Sequence, residues 1–130
     1  AQGVIRYPDM ALYQEIIFLK HFYKGKFVIE NVIPYYDLLI TGHKRGRHLY
    51  WTNFKLPNKL SDRTNSGNLN QKSVMKDLCD FHDYDFRKYK GEQRLLKMAR
   101  NLVDYEAGLT IFNTARNIIT KSESNQITMF

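Results

Sequence analysis

The sequence predicts an α/β domain, and three observations carry that expectation. The stretch "YPDMALYQEIIFLKHFYKGK" repeats apolar residues at helical spacing. "FVIENVI" at 27–33 follows after a very short turn and reads as an apolar strand. "RHLYWTNFKL" at 47–56 reads as a second strand. A helix feeding directly into a strand is the local grammar of α/β folds, because each element buries its apolar side on the other.

Taken in order, the first helix opens at Pro8 and Asp9, both favourable in a first turn. Leu12, Ile16, Leu19 and Tyr23 form its apolar face, which Ile17 and Phe18 widen. Gly25 closes it, with Lys20, Lys24 and Lys26 where the helix dipole favours cations. In the strand 27–33, Glu30 and Asn31 interrupt an apolar run that Val32 and Ile33 resume before Pro34. Burying a carboxylate costs several kcal/mol unless it is paired or used, so Glu30 demands a reason. Residues 37–46 read as a connection ending in a basic run, and Leu49, Trp51 and Phe54 as the buried positions of the next strand. From Pro57 to Gln71 the chain is polar and turn-rich, the pattern of a loop. Val74, Leu78 and Phe81 mark a short helix, and "HDYDFRKYKGEQ" is charged and irregular. Leu95, Leu96 and Met98 open a further apolar stretch, in which Leu109, Phe112, Ala115 and Ile119 keep helical spacing. The last ten residues carry weak signals and are expected to fray.

Composition bounds the function. A chain of 130 residues with 43% hydrophobic content is long enough for one compact core and too short for two domains. Twenty Lys and Arg against 13 Asp and Glu leave a net charge of +7, which favours an anionic partner, nucleic acid first. The single cysteine, Cys79, excludes an internal disulfide and suits a reducing cytoplasm. No apolar run approaches the roughly 18 residues a membrane span requires. The N-terminus has no signal-peptide layout, and its abrupt start before a helix signal leads us to expect a portion of something longer.

Three stretches, in order, resemble the DNA cytosine-5 methyltransferases. "FVIENV" resembles their Glu-Asn-Val motif, "HKRGRHLYW" their Gln-x-Arg-x-Arg motif, and "ARNLVDYEAGLTIF" their closing Gly-Asn-x-Val motif. The Tyr-Pro-Asp opening looks closest to the small phage and bacterial members, and the resemblance covers most of residues 5–119. It implies the C-terminal part of a Rossmann-like, S-adenosylmethionine-dependent methyltransferase fold, with a short target-recognition segment around 55–99 in a single domain or fragment spanning 1–130.

The resemblance also implies roles. Glu30 would grip the pairing edge of a cytosine swung out of double-stranded DNA, and Arg47 would contact its carbonyl oxygen. Arg45 matches the first motif arginine; Asn31, Lys44 and His43 are further DNA-binding candidates. Asn101 and Val103 would line the methionine end of S-adenosylmethionine. Three positions depart from the pattern: His43 replaces Gln, Gly46 a bulkier residue, and Arg100 a Gly. Outside the resemblance, Glu30 could be a structural carboxylate paired with a Lys or Arg, and "HKRGRH" a solvated basic loop.

The chain contains neither a Phe-x-Gly-x-Gly loop nor a Pro-Cys dipeptide. Cys79 sits in "DLCDFHD", among acids that oppose a thiolate, and is read as a core or surface thiol. The nucleophile and most of the cofactor site would therefore come from a complementary N-terminal half, leaving this chain inactive alone and prone to form an oligomer. The rival class is a non-catalytic nucleic-acid-binding module. There Lys44, Arg45 and Arg47 would contact phosphates, and Tyr35, Tyr36 and Trp51 would stack on bases.

Overall fold

A computed structural model describes residues 5–63 and 71–117. The α/β class holds: among the described residues there are four α-helices and one three-stranded antiparallel sheet. The chain divides into two compact units, Ala1–Asn58 and Lys59–Phe130.

The first unit carries α1 (Met10–Phe22) and strands β1 (Val28–Val32), β2 (His43–Arg45) and β3 (His48–Thr52). Asp9 is the N-cap of α1, its carboxylate accepting from the Leu12 amide at 3.2 Å. The helix ends at Phe22, earlier than the sequence suggests, with Tyr23 rather than Gly25 as C-cap. The sheet order is β1-β3-β2, so β1 is an edge strand. Glu30 pairs with Tyr50 and Asn31 with Leu49, while His43 faces Tyr50 and Arg45 faces His48.

Alternation along the strands fixes what each face of the sheet carries. Ile29, Leu49 and Trp51 share one face, and α1 packs there through Tyr13 and Ile16, each 2% exposed. Trp51 donates its indole N–H to the Ile40 carbonyl at 3.0 Å, and the Tyr13 hydroxyl accepts from the Leu39 amide at 3.2 Å. These two bonds tie the connection 33–42 to the core. Ile17, Phe18 and Tyr23, expected on the apolar face, are instead about half exposed.

Two strand expectations change. β2 falls inside the stretch read as a basic connection, because pairing with β3 supplies what three polar residues lack on their own. Glu30, which the resemblance to the Glu-Asn-Val motif would put at the C-terminal end of its strand, stands in the middle of β1.

The second unit holds α2 (Gln71–His82), a 3-10 turn at Phe86–Lys88, α3 (Leu95–Asn101) and α4 (Tyr105–Ala115). Its core gathers Val74, Leu78, Phe86 and Ala99, with Cys79 packed against them half-buried. The buried His82 ring meets the Ala99 carbonyl at 3.1 Å. The stretch 83–93 is irregular apart from the 3-10 turn. On α4 the inward residues are Ala107 and Ile111, whereas Leu109 and Phe112 are 57% exposed. Ile119, the last ten residues and residues 64–70 of the expected loop lie outside the described residues.

Candidate functional site

Glu30 stands on the sheet face opposite α1. Pairing places Glu30, Tyr50 and His43 in one row across the three strands, and Val32, His48 and Arg45 in the next. His48 is thus the diagonal cross-strand neighbour of Glu30, within reach of a long side chain. Its Nε2 lies 3.6 Å from Glu30 Oε1, and the two side chains are 12% and 35% exposed respectively. Partial burial lifts the Glu30 carboxyl above its ordinary carboxylate value, and the neighbouring His48 charge opposes the shift. The His48 and Tyr50 rings lie 6.4 Å apart, and Tyr50 is buried.

Arg45 shares this face and is half-buried. Its Nε donates to the Pro57 carbonyl at 2.9 Å and its Nη1 to the Lys44 carbonyl at 2.9 Å, so the guanidinium is held by backbone oxygens. Arg47 occupies the turn between β2 and β3 and is exposed. Gly46 precedes it with φ +60°, as the first central position of a type II′ hairpin turn requires. Of the two motif arginines, the one in register beside the Glu30 face is therefore Arg45. Arg47 and the exposed Lys44 project at and near the hairpin tip.

His43 lies in the Glu30 row and is exposed. Asn31 falls on the opposite face, where its Oδ1 accepts from the Val32 amide at 2.9 Å. Asn101 and Val103 belong to the second unit: Asn101 is the last residue of α3, Val103 lies in the link to α4, and both are half-buried.

Sequence reasoning missed His48 and Tyr50. Alternation in "RHLYWTNF" separates them from Leu49 and Trp51, but only the register of β1 against β3 brings them to Glu30. The face as built offers a partly exposed carboxyl with an imidazole against it, beside a buried phenol and a guanidinium already held by backbone oxygens. The carboxyl can accept hydrogen bonds from a polar ring edge and, when protonated, donate to one.

Among the described residues no group of three or more His, Cys, Asp or Glu is placed to hold a metal ion, and no helix is long and apolar enough to cross a membrane. Comparison of the chain with protein-family models, curated proteins and solved structures returns no match.

Proposed function

We propose that the chain is the C-terminal portion of a DNA cytosine-5 methyltransferase, completed by an N-terminal half that brings the cysteine nucleophile. The observation that carries this reading is the setting of Glu30. Among the described residues its ion-pair partner is His48, not the lysine or arginine that a structural carboxylate would recruit. A carboxyl can accept from an exocyclic amine and, when protonated, donate to a ring nitrogen, which matches N4 and N3 of cytosine, and partial burial shifts Glu30 in the direction of the protonated form.

The strand order supports the finer fold assignment. A helix leading into β1, whose outer edge carries no strand among the described residues, is the arrangement that the second half of a β-α-β crossover would have. A parallel strand from the missing half would pair there, and parallel sheets with an antiparallel margin are common in doubly wound folds. S-adenosylmethionine would then be shared between that half and the region of Asn101 and Val103. Double-stranded DNA would meet the exposed cations Lys44 and Arg47.

The test is methyl transfer from labelled S-adenosylmethionine to DNA. The chain alone should give none, and adding a complementary N-terminal half should restore it. Glu30→Gln should then lower the rate about a hundredfold, the scale of a positioned acid. Transfer by the isolated chain, or full activity in the reconstituted Glu30→Gln variant, overturns the assignment.

A second reading rests on one observation. Tyr35 is 91% exposed, and Arg6 lies over its ring at 5.9 Å, as in a stacking platform for unpaired bases. Under that reading Tyr35→Ala weakens single-strand binding while Glu30→Gln leaves binding and its salt dependence unchanged.

A further inference from the structure

The ion-pair partner of Glu30 has no role in the motifs that single Glu30 out. His48 follows the second motif arginine, and its ring is brought to the carboxyl by the β1–β3 register. At 3.6 Å the contact exceeds hydrogen-bond range, so it acts through charge. The His48 side chain is only 12% exposed, which confines the ring to a narrow set of positions. Among the described strand residues the other ionisable side chains on this face are His43 and Arg45 from β2 and Tyr50 from β3; the segment after β3, which Arg45 meets at the Pro57 carbonyl, carries the exposed Lys55, and α1 packs on the opposite side. Arg45 is engaged by the Pro57 and Lys44 carbonyls, and His43 lies one strand farther from Glu30 than Tyr50 does. The imidazole of His48 is therefore the group best placed to act on the carboxyl.

We propose that His48 is a positioning residue for Glu30: its ring, brought to the carboxyl by the β1–β3 register, fixes where that carboxyl lies on the sheet face. As a statement about catalysis this rests on the methyltransferase reading; as a statement about the pair it does not. A histidine that only packs against its neighbours would leave the Glu30 midpoint where it is. A positioning histidine moves the titration of its partner, because a nearby positive charge favours the carboxylate.

The measurement is the pH dependence of the Glu30 side-chain carboxyl carbon in the isotope-labelled chain, followed by nuclear magnetic resonance. With His48→Gln the Glu30 midpoint should move upward, by up to about one pH unit for a partly exposed pair. His48→Lys, which restores a cation, should return it toward the wild-type value. In the wild-type chain the His48 ring resonances should show a second inflection at the Glu30 midpoint, a readout that needs no variant to fold. With four histidines present, the signal lost in His48→Gln assigns the ring. An unchanged or lower Glu30 midpoint in a folded His48→Gln chain overturns the proposal, as does a His48 ring insensitive to Glu30.

In the reconstituted enzyme, His48→Gln should displace the limb of the pH–rate profile governed by Glu30. A Glu30 midpoint displaced by His48→Gln, together with a reconstituted wild type that transfers no methyl group, supports the pair and overturns the methyltransferase reading. A pH–rate profile identical to wild type overturns the positioning role.

Discussion

Two carboxylates in this chain show how differently a residue of one chemistry can be used. Asp104 caps α4 by accepting from the Glu106 amide at 3.0 Å, and it also receives the Ser61 hydroxyl at 2.6 Å and Arg63 at 3.2 Å. Arg63 is in turn sandwiched by the Phe81 and Tyr105 rings and donates to the Phe81 carbonyl. Asp104→Ala removes a cap and leaves a guanidinium without its counter-charge, so it should cost about 2–3 kcal/mol, read as a lower urea midpoint. Glu30 should behave in the opposite way. Its carboxyl is raised on folding, so between its unfolded value near 4.5 and its higher folded value the native state binds more protons than the unfolded one. Stability from this group therefore falls as pH rises through that window and stays lower above it. Glu30→Gln should leave the chain as stable or more stable at pH 7, by at most about 1 kcal/mol given the water still reaching the side chain. The difference should vanish near pH 4. A clear loss at pH 7 would make Glu30 a structural anchor like Asp104. The sequence picked out Glu30 because a charge inside an apolar run is visible locally. It did not pick out His48, because sharing a face across two strands depends on register.

The hairpin of β2 and β3 shows the same division at the level of elements. Apolar content marked β3, whereas "HKR" has none, and β2 exists because β3 offers it hydrogen bonds. Gly46 is where the local signal was present, since a glycine in a short turn between paired segments is a hairpin mark. A Cβ at Gly46 would meet nothing within 4 Å, so only its φ of +60° resists substitution. Gly46→Ala should therefore cost about 1–2 kcal/mol, with Gly46→Asn milder, because amide side chains tolerate the left-handed region. Gly42 is a steric case instead: a Cβ there would lie 2.9 Å from Trp51 Cε2. Gly42→Ala should push the indole off the Ile40 carbonyl, which a red shift of Trp51 fluorescence on partial exposure would report. The helices repeat the lesson. Spacing identified α4, yet Leu109 and Phe112 are exposed and the smaller Ala107 with Ile111 faces inward, because period alone does not say which side a neighbour will cover.

For the molecule as a whole, the surfaces left open are its most consequential property. α1 buries Tyr13 and Ile16 on the sheet, yet Met10, Ile17, Phe18 and Phe22 remain 61%, 49%, 53% and 73% exposed on its other sides. A helix apolar on more than one side is ordinarily covered more fully than this. Beside it, the outer edge of β1, which no strand covers among the described residues, presents backbone groups that a strand from another chain can satisfy, and Val28 on that strand is 43% exposed. The net charge of +7 opposes association at long range, but salt screens it within about 10 Å and it does not cover apolar area. Self-association, or capture of a partner strand, should follow. Sedimentation across a concentration series should show the average mass rising above the 15.4 kDa of the chain, more steeply in high salt. Phe18→Glu should weaken the rise by interrupting the apolar side of α1, and Val28→Lys by charging the open edge, the device natural edge strands use. A concentration-independent monomer with cooperative unfolding would mean that these residues close their own core and that α1 and β1 await no further strand.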